Sequence, residues 1–424
     1  MGNSNLKSPS LEGLYKSNST IKIPDLETDK EKERDKAAVA LEKQNFLNIH
    51  KHNKECKDAE LIENCLLNHF FLRALEKQSR MEIVKEMTSC SIKEGTEIFK
   101  QGADPGHFFI LSKGTVELQS KGLPTVTINS GNCFGEKSLI YGTCRLTTAK
   151  TKTECNVWIM EKRNFKKIIE HIIHITFEDN NKSTQTIPLF STLEHEPKVK
   201  VLNSLFRETQ FENTKIYIKN EIANAIYMVK DGEINLSNGE KTVGKMTKGD
   251  YFGVLSILLD SSRILEAIPK QKSHLYSIPL STIKKIYGKN YKENLLLGLI
   301  KAAFLKCNKF SKLNLKLIDD FYYLFKVHFY EKETQIVSKG SSKSAEIIIP
   351  ICGDLIEEGS SKSICKKGNI LLGDEVYDQI NKNFDKNIKC TPFSLVVNAK
   401  SSEIIKLFRC SFKEMADKSN AIEQ

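Results

Sequence analysis

Phe134-Gly135-Glu136-Lys137-Ser138-Leu139-Ile140-Tyr141-Gly142-Thr143-Cys144-Arg145-Leu146-Thr147-Thr148-Ala149 is the most informative stretch of the chain. Gly135 and Glu136 open a short apolar turn, Ser138 to Ile140, and Arg145 stands at the start of a strand-like run, Leu146 to Ala149. The start of a helical turn offers backbone N–H groups to an anion, and a nearby guanidinium adds a charge-assisted clamp. Gly135 would let the backbone approach a ligand closely. The set suits a small ligand with a fixed anion at one end and a free hydroxyl at the other. Arg145 would pair with the anion, and Glu136 would accept from the hydroxyl.

Outward from this stretch the chain repeats itself. Lys113-Gly114-Thr115-Val116-Glu117-Leu118, Asp231-Gly232-Glu233-Ile234-Asn235-Leu236 and Cys352-Gly353-Asp354-Leu355-Ile356-Glu357 are alike, at a period of about 120 residues. Each glycine follows an apolar run (Phe108 to Leu111, Ala225 to Val229, Ile347 to Ile351) and precedes an alternating one, which is a hairpin pattern. A second marker keeps the period: Phe134-Gly135-Glu136, Phe252-Gly253-Val254 and Leu372-Gly373-Asp374. Helical patterns flank the units at Leu75 to Met87, Val199 to Phe206 and Leu313 to Leu324, and again at Phe165 to Ile173 and Ile283 to Leu297. Short strands with glycine turns between helices predict an α+β chain of tandem β-barrels, or jelly rolls. The expected boundaries are 1–64 for an N-terminal tail and helix, then 65–180, 181–300 and 301–424 for three units. Within the first segment, Met1 to Thr28 is expected to be flexible, and Asp29 to Phe46 to form a solvent-exposed helix.

The bulk properties narrow the class. The 424 residues are enough for several packed cores. The eleven cysteines form no C-x-x-C pair, which reads as reduced thiols in a cytoplasmic protein rather than a disulfide framework or a zinc site. The net charge of +11 is spread over lysines that often neighbour Glu or Asp, so no nucleic-acid partner is expected. His171 and His174 lack a carboxylate motif and are expected to hold no metal, and the strand context of Trp158 makes it a core residue. No apolar run approaches the length of a membrane span, and no secretory signal is read at the N-terminus. Met1-Gly2-Asn3-Ser4 begins like an acylation site at Gly2, which would give only a weak peripheral anchor.

The Phe134–Ala149 stretch resembles the phosphate-binding cassette of cyclic-nucleotide-binding domains, as found in the regulatory subunits of cyclic-AMP-dependent kinase and in cyclic-GMP-dependent kinases. Glu94-Gly95, Ile98-Phe99, Gln101-Gly102 and the run Phe108 to Gly114 are similar to the family's early strands. Val157-Trp158-Ile159 and Phe165 resemble its last strand and following helix. The resemblance implies a cyclic AMP or cyclic GMP site at Phe134, Gly135, Glu136, Lys137, Ser138, Arg145, Leu146 and Thr147, with no cofactor. Gly253 and Arg263 form a candidate second site, although Val254 stands where Glu136 does and cannot accept a hydrogen bond. In the third unit Gly373, Asp374 and Glu375 resemble the cassette's start, but Lys382 and Lys386 replace the arginine.

Three tandem units resemble the regulatory half of apicomplexan cyclic-GMP-dependent kinases. No kinase catalytic motif occurs, so a non-catalytic sensor is expected, with a protein kinase catalytic chain as partner. A ligand-free docking scaffold and a regulatory fragment of a longer kinase are the alternatives. Leu146 follows the arginine where cyclic-GMP-selective relatives often carry Thr or Ser. If the strand begins there, Leu146 and Thr147 face opposite ways, and the choice of base stays open.

Overall fold

The computed structural model describes residues 29–50, 55–184, 195–307, 318–319, 322–337, 346–359, 363–371, 387–392 and 394–400. A helix, Asp29–Lys43, leads into β1 (Leu47–His50). Helices Cys56–Asn68 and Lys77–Glu86, joined through a 3-10 turn at Leu72–Ala74, precede the first barrel. Its strands are β2 (Thr88–Ile92), β3 (Glu97–Phe99), β4 (His107–Lys113), β5 (Thr115–Gln119), β6 (Val126–Asn129), β7 (Cys133–Phe134), β8 (Thr148–Thr151) and β9 (Cys155–Glu161). A short helix, Glu136–Tyr141, separates β7 from β8, and the helix Lys162–Thr184 follows β9. The strands close into two antiparallel sheets, β1-β2-β9-β4-β7 and β3-β8-β5-β6.

The second unit repeats this order. After the helix His195–Leu202 come β10 (Phe206–Gln210), β11 (Ala225–Asp231), β12 (Ile234–Ser237), β13 (Thr242–Met246), β14 (Tyr251–Phe252), β15 (Glu266–Pro269) and β16 (Ser273–Pro279). The helix Val254–Leu258 lies between β14 and β15. The sheets are β10-β16-β11-β14 and β13-β12-β15. In the third unit β17 (Lys326–Tyr330), β18 (Thr334–Val337), β19 (Glu346–Cys352), β20 (Leu355–Glu357), β21 (Ser363–Cys365), β22 (Ile388–Cys390) and β23 (Ser394–Lys400) form sheets β17-β23-β19 and β18-β22-β20-β21. In each unit the last strand sits between the first and the hairpin strand: β9 between β2 and β4, β16 between β10 and β11, β23 between β17 and β19. The hairpin glycines explain the period. Gly114, Gly232 and Gly353 have φ of 97°, 101° and 77°, a left-handed turn that other residues resist.

The units share cores rather than standing apart. Phe71, Phe108, Phe165 and Ile172 pack with Phe206, Tyr227 and Leu275 of the second unit. Leu295, Leu299 and Phe304 of helix Tyr291–Lys306 pack with Ile347, Ile349 and Leu395 of the third. Trp158 is buried in β9. The ten described cysteines are free thiols, and no described helix is long and apolar enough to cross a membrane.

Four sequence expectations change. The helix Asp29–Lys43 is not simply solvent-exposed, because it docks on the first barrel and buries Ala38 and Glu42. Leu146 and Thr147 form a bend before β8, so strand alternation does not set their directions. The run Ile283–Leu297 is broken: helix Leu280–Tyr287 ends at Gly288 (φ 61°), and a 3-10 turn leads into Tyr291–Lys306. Likewise Phe206 opens β10 instead of ending a helix. Gly2 and the third-unit residues Gly373, Asp374, Glu375, Lys382 and Lys386 lie outside the described residues.

Candidate ligand site

In the first unit β7 delivers Phe134 into the barrel core, where its ring stacks on Phe109 at 4.8 Å. Gly135 then turns the chain with φ 82° and caps the helix Glu136–Tyr141. Glu136 and Lys137 are half-buried on the first turn, while Ser138 is buried. The segment ends at Gly142, also left-handed, and the backbone returns to the barrel at Arg145. There it is clamped on both sides: Arg145 N–H donates to Ala103 O at 2.7 Å, and Gly102 N–H donates to Arg145 O at 2.8 Å.

Arg145 is 1% exposed. Its guanidinium lies over the Phe99 ring, 4.0 Å from the centroid. Nη1 donates to Gly135 O, and Nη2 donates to His107 O, each at 2.7 Å. The sequence reading gave Gly135 the role of bringing backbone close to a ligand. Here it brings backbone close to the arginine, since a Cβ at Gly135 would sit 2.8 Å from Nη1. Burial lowers the pKa of Arg145, and the neighbouring carboxylates of Glu42 and Glu136 oppose that shift. Burial raises the Glu136 pKa, against its backbone hydrogen bond and the charges of Lys137 and Arg145. Glu136 and Arg145 therefore feel each other across the cassette. Lys137 reaches out of it, 3.7 Å from Glu221 of the second unit. Leu146 and Thr147 are half-buried beside the arginine.

Sequence reasoning missed the carboxylate partner of this arginine. Glu42 Oε1 accepts from Arg145 Nε at 3.1 Å and from Nη2 at 2.7 Å. The other Glu42 oxygen lies 2.8 Å from His107 Nδ1. Glu42 is 103 residues from Arg145 in a charge-rich helix, and a lone glutamate there carries no signal of its own. Asp35, Ala38 and Glu42 do share the spacing of one helix face.

The second unit rebuilds the frame. Arg263 N–H donates to Glu221 O and Asn220 N–H donates to Arg263 O, both at 2.7 Å. Arg263 Nη1 and Nη2 donate to Gly253 O and Ala225 O at 2.6 Å, and its guanidinium lies 4.3 Å from the Tyr217 centroid. Gly253 repeats φ 80° and the 2.8 Å approach to Nη1. Val254, in place of a carboxylate, is buried. Arg263 Nε is buried with no hydrogen-bond partner among the described residues. Beside this cassette a cavity of about 70 Å³ is walled partly by Ile351, Gly353 and Lys367 of the third unit.

His69, Cys133 and Glu136 bring donor atoms within 4.8 Å of one another next to the first cassette. His69 Nδ1 accepts the N–H groups of Phe71 and Leu72 at 3.1 Å, which puts the ring proton on Nε2. That nitrogen then has no lone pair for a metal. Burial also pushes the ring's pKa down to about 3.

Residues 89–171 and 212–290 each match the family model of the cyclic nucleotide-binding domain. These two segments are cyclic nucleotide-binding domains, with the cassettes just described inside them. Among curated proteins, the chain is similar to a cAMP-dependent protein kinase regulatory subunit of Eremothecium gossypii, 25% identical over 231 residues, covering 54% of this chain and 50% of that protein. It is also similar to a cGMP-dependent protein kinase of Plasmodium berghei, 22% identical over 339 residues, covering 80% of this chain and 39% of that protein. The chain thus spans half or less of the length of these relatives. A solved structure of the regulatory domain of Toxoplasma gondii PKA with cAMP aligns at 20% identity and TM-score 0.32, covering 57% of this chain and 97% of that one.

Proposed function

We propose that the chain is a cyclic-nucleotide sensor that regulates a protein kinase, with its ligand held in the first cassette. The observation that carries this reading is the cassette's geometry. Gly135 turns the chain into a short helix led by Glu136, and Arg145 is pinned against that turn over Phe99. Glu136 would accept the ribose 2′-hydroxyl, and Arg145 would face the cyclic phosphate near the backbone N–H groups of Lys137 and Ser138. The relatives named as kinase regulatory subunits support the kinase as partner. Closure would bring the helix Lys162–Thr184 against the ligand, so that nucleotide favours one arrangement of helix and barrel over another. The second cassette keeps the arginine and lacks the carboxylate, so it is the weaker site on this reading.

Calorimetric titration of the whole chain with cyclic AMP and cyclic GMP tests the reading and identifies the base. Replacing Glu136 by Ala removes one charge-assisted hydrogen bond, for an expected loss of about 1.5–3 kcal/mol, or 10- to 150-fold in Kd. Arg145→Ala is expected to abolish binding. Because Arg145 is buried, the half-buried Glu136 supplies the variant that leaves the fold intact. Unchanged affinity in Glu136→Ala refutes the assignment. A ligand-free docking scaffold is favoured by one observation, that Arg145 already has a carboxylate partner within the chain. A blank titration with both nucleotides would select it.

A further inference from the structure

We infer that Glu42 is a tethered competitor for the anion at the first cassette, so that the helix Asp29–Lys43 and the ligand exclude one another. The inference rests on the nucleotide reading of that cassette. The Glu42 carboxylate is 3% exposed and takes the Nε and Nη2 donors of Arg145. The remaining Nη2 donor goes to His107 O, and one Nη1 donor goes to Gly135 O. A guanidinium has five N–H groups, so one is left, too few for a bidentate grip on a phosphate while Glu42 is docked.

A carboxylate that merely positioned the arginine would be required wherever such an arginine is held. The second unit shows that it is not. Arg263 keeps the same two carbonyl contacts, the same backbone clamp and the same aromatic support, and its Nε has no partner among the described residues. The pose is set by the barrel, and Glu42 is an addition to it.

The rest of the helix is built to dock and to release. Arg34 forms a two-pronged pair with Asp104, at 3.0 and 3.3 Å. Lys43 pairs with Glu161, and Asp35 pairs with Lys162. These contacts are all exposed or half-buried ion pairs, which are weak singly. At Gly106 the helix approaches so closely that a Cβ would meet Ala38 O and Glu42 Oε2 at 2.8 Å. The missing side chain at Gly106 is what lets the helix seat this closely, with Glu42 against the barrel. Competition lowers apparent affinity by the fraction of molecules with the helix undocked, and by linkage the ligand weakens docking by the same factor.

The test uses the full chain, cyclic AMP and cyclic GMP. Glu42→Gln keeps the shape and removes the charge, and its Kd is expected to fall by about tenfold or more. Arg34→Gln, remote from the guanidinium, is expected to tighten binding by about two- to fivefold by loosening docking alone. Hydrogen exchange of residues 29–43 is expected to speed up when nucleotide is added to the wild type, and to be fast without ligand in Glu42→Gln. Nucleotide binding with equal or weaker affinity in Glu42→Gln, or helix exchange that slows with ligand, overturns the competitor and leaves the nucleotide site standing. Absence of binding in wild type, Glu42→Gln and Arg34→Gln alike overturns both.

Discussion

Gly135 shows how much of the site rests on a missing side chain. Its φ of 82° is a region where an L-residue loses roughly 1–2 kcal/mol, and a Cβ would press on Arg145 Nη1 and the Phe109 ring. Gly131 has nearly the same φ, 86°, with nothing within 4 Å of a Cβ. The two glycines separate backbone strain from collision. Gly131→Ala is expected to lower stability by about 1–2 kcal/mol and leave nucleotide affinity unchanged. Gly135→Ala is expected to add roughly a further 1–3 kcal/mol from overpacking and to weaken binding, because the guanidinium must shift. Thermal melts and titrations of both variants check this, and equal behaviour would remove the steric role given to Gly135.

At the scale of elements, the helix Lys162–Thr184 is held on the first barrel by one aromatic contact in particular. Phe165, 1% exposed, packs on Phe108 of β4 with centroids 4.9 Å apart, and Ile168 and Ile172 continue the seam. Phe165→Ala is expected to cost about 3–5 kcal/mol, read as earlier unfolding of the first unit in a denaturant melt. This seam was legible in the sequence, because Phe165 to Ile173 carries apolar residues at helical spacing directly after an apolar strand. The barrels were legible for a similar reason. Gly114, Gly232 and Gly353 are required by the hairpins and recur at a fixed period. The closeness of Arg145 to the Gly135 turn was readable because both lie within one local segment. The docking of Asp29–Lys43 was not readable. Its contacts are made by charged side chains with partners far along the chain, and buried charges look like surface charges until the partner's position is known. The bend at Leu146–Thr147 was hidden for the opposite reason. Its residues suit a strand, but the backbone clamp on Arg145 by Ala103 and Gly102 delays β8 until Thr148.

Across the whole molecule, the first cassette is wired directly into the second unit. Tyr141, the last residue of the cassette helix, donates to Glu208 Oε1 of β10 at 2.7 Å, and Ser281 Oγ donates to Tyr141 O at 2.8 Å. Tyr227 donates to the Tyr141 hydroxyl at 3.4 Å, and its ring stacks on Phe252 of the second cassette at 5.3 Å. Ser277 and Gln210 also donate to Glu208, which is fully buried. Burial raises the Glu208 pKa, while the hydrogen bonds from Ser277, Tyr141 and Gln210 hold it back. A carboxyl whose folded pKa is raised favours the folded state when protonated. Its contribution is therefore present below the unfolded value and is lost as pH rises through the folded one. Tyr141→Phe removes a donor that the charged form needs and the protonated form can do without. The substitution is expected to cost about 1.5–3 kcal/mol where Glu208 is charged, and less as the pH is lowered from 7.5 to 5 and the carboxyl takes up a proton. Thermal melts of wild type and variant at the two pH values measure the difference. A Tyr141→Phe penalty that stays constant with pH would mean that Glu208 keeps one protonation state throughout, and that the contact between cassette and second unit is held by packing rather than by this buried charge.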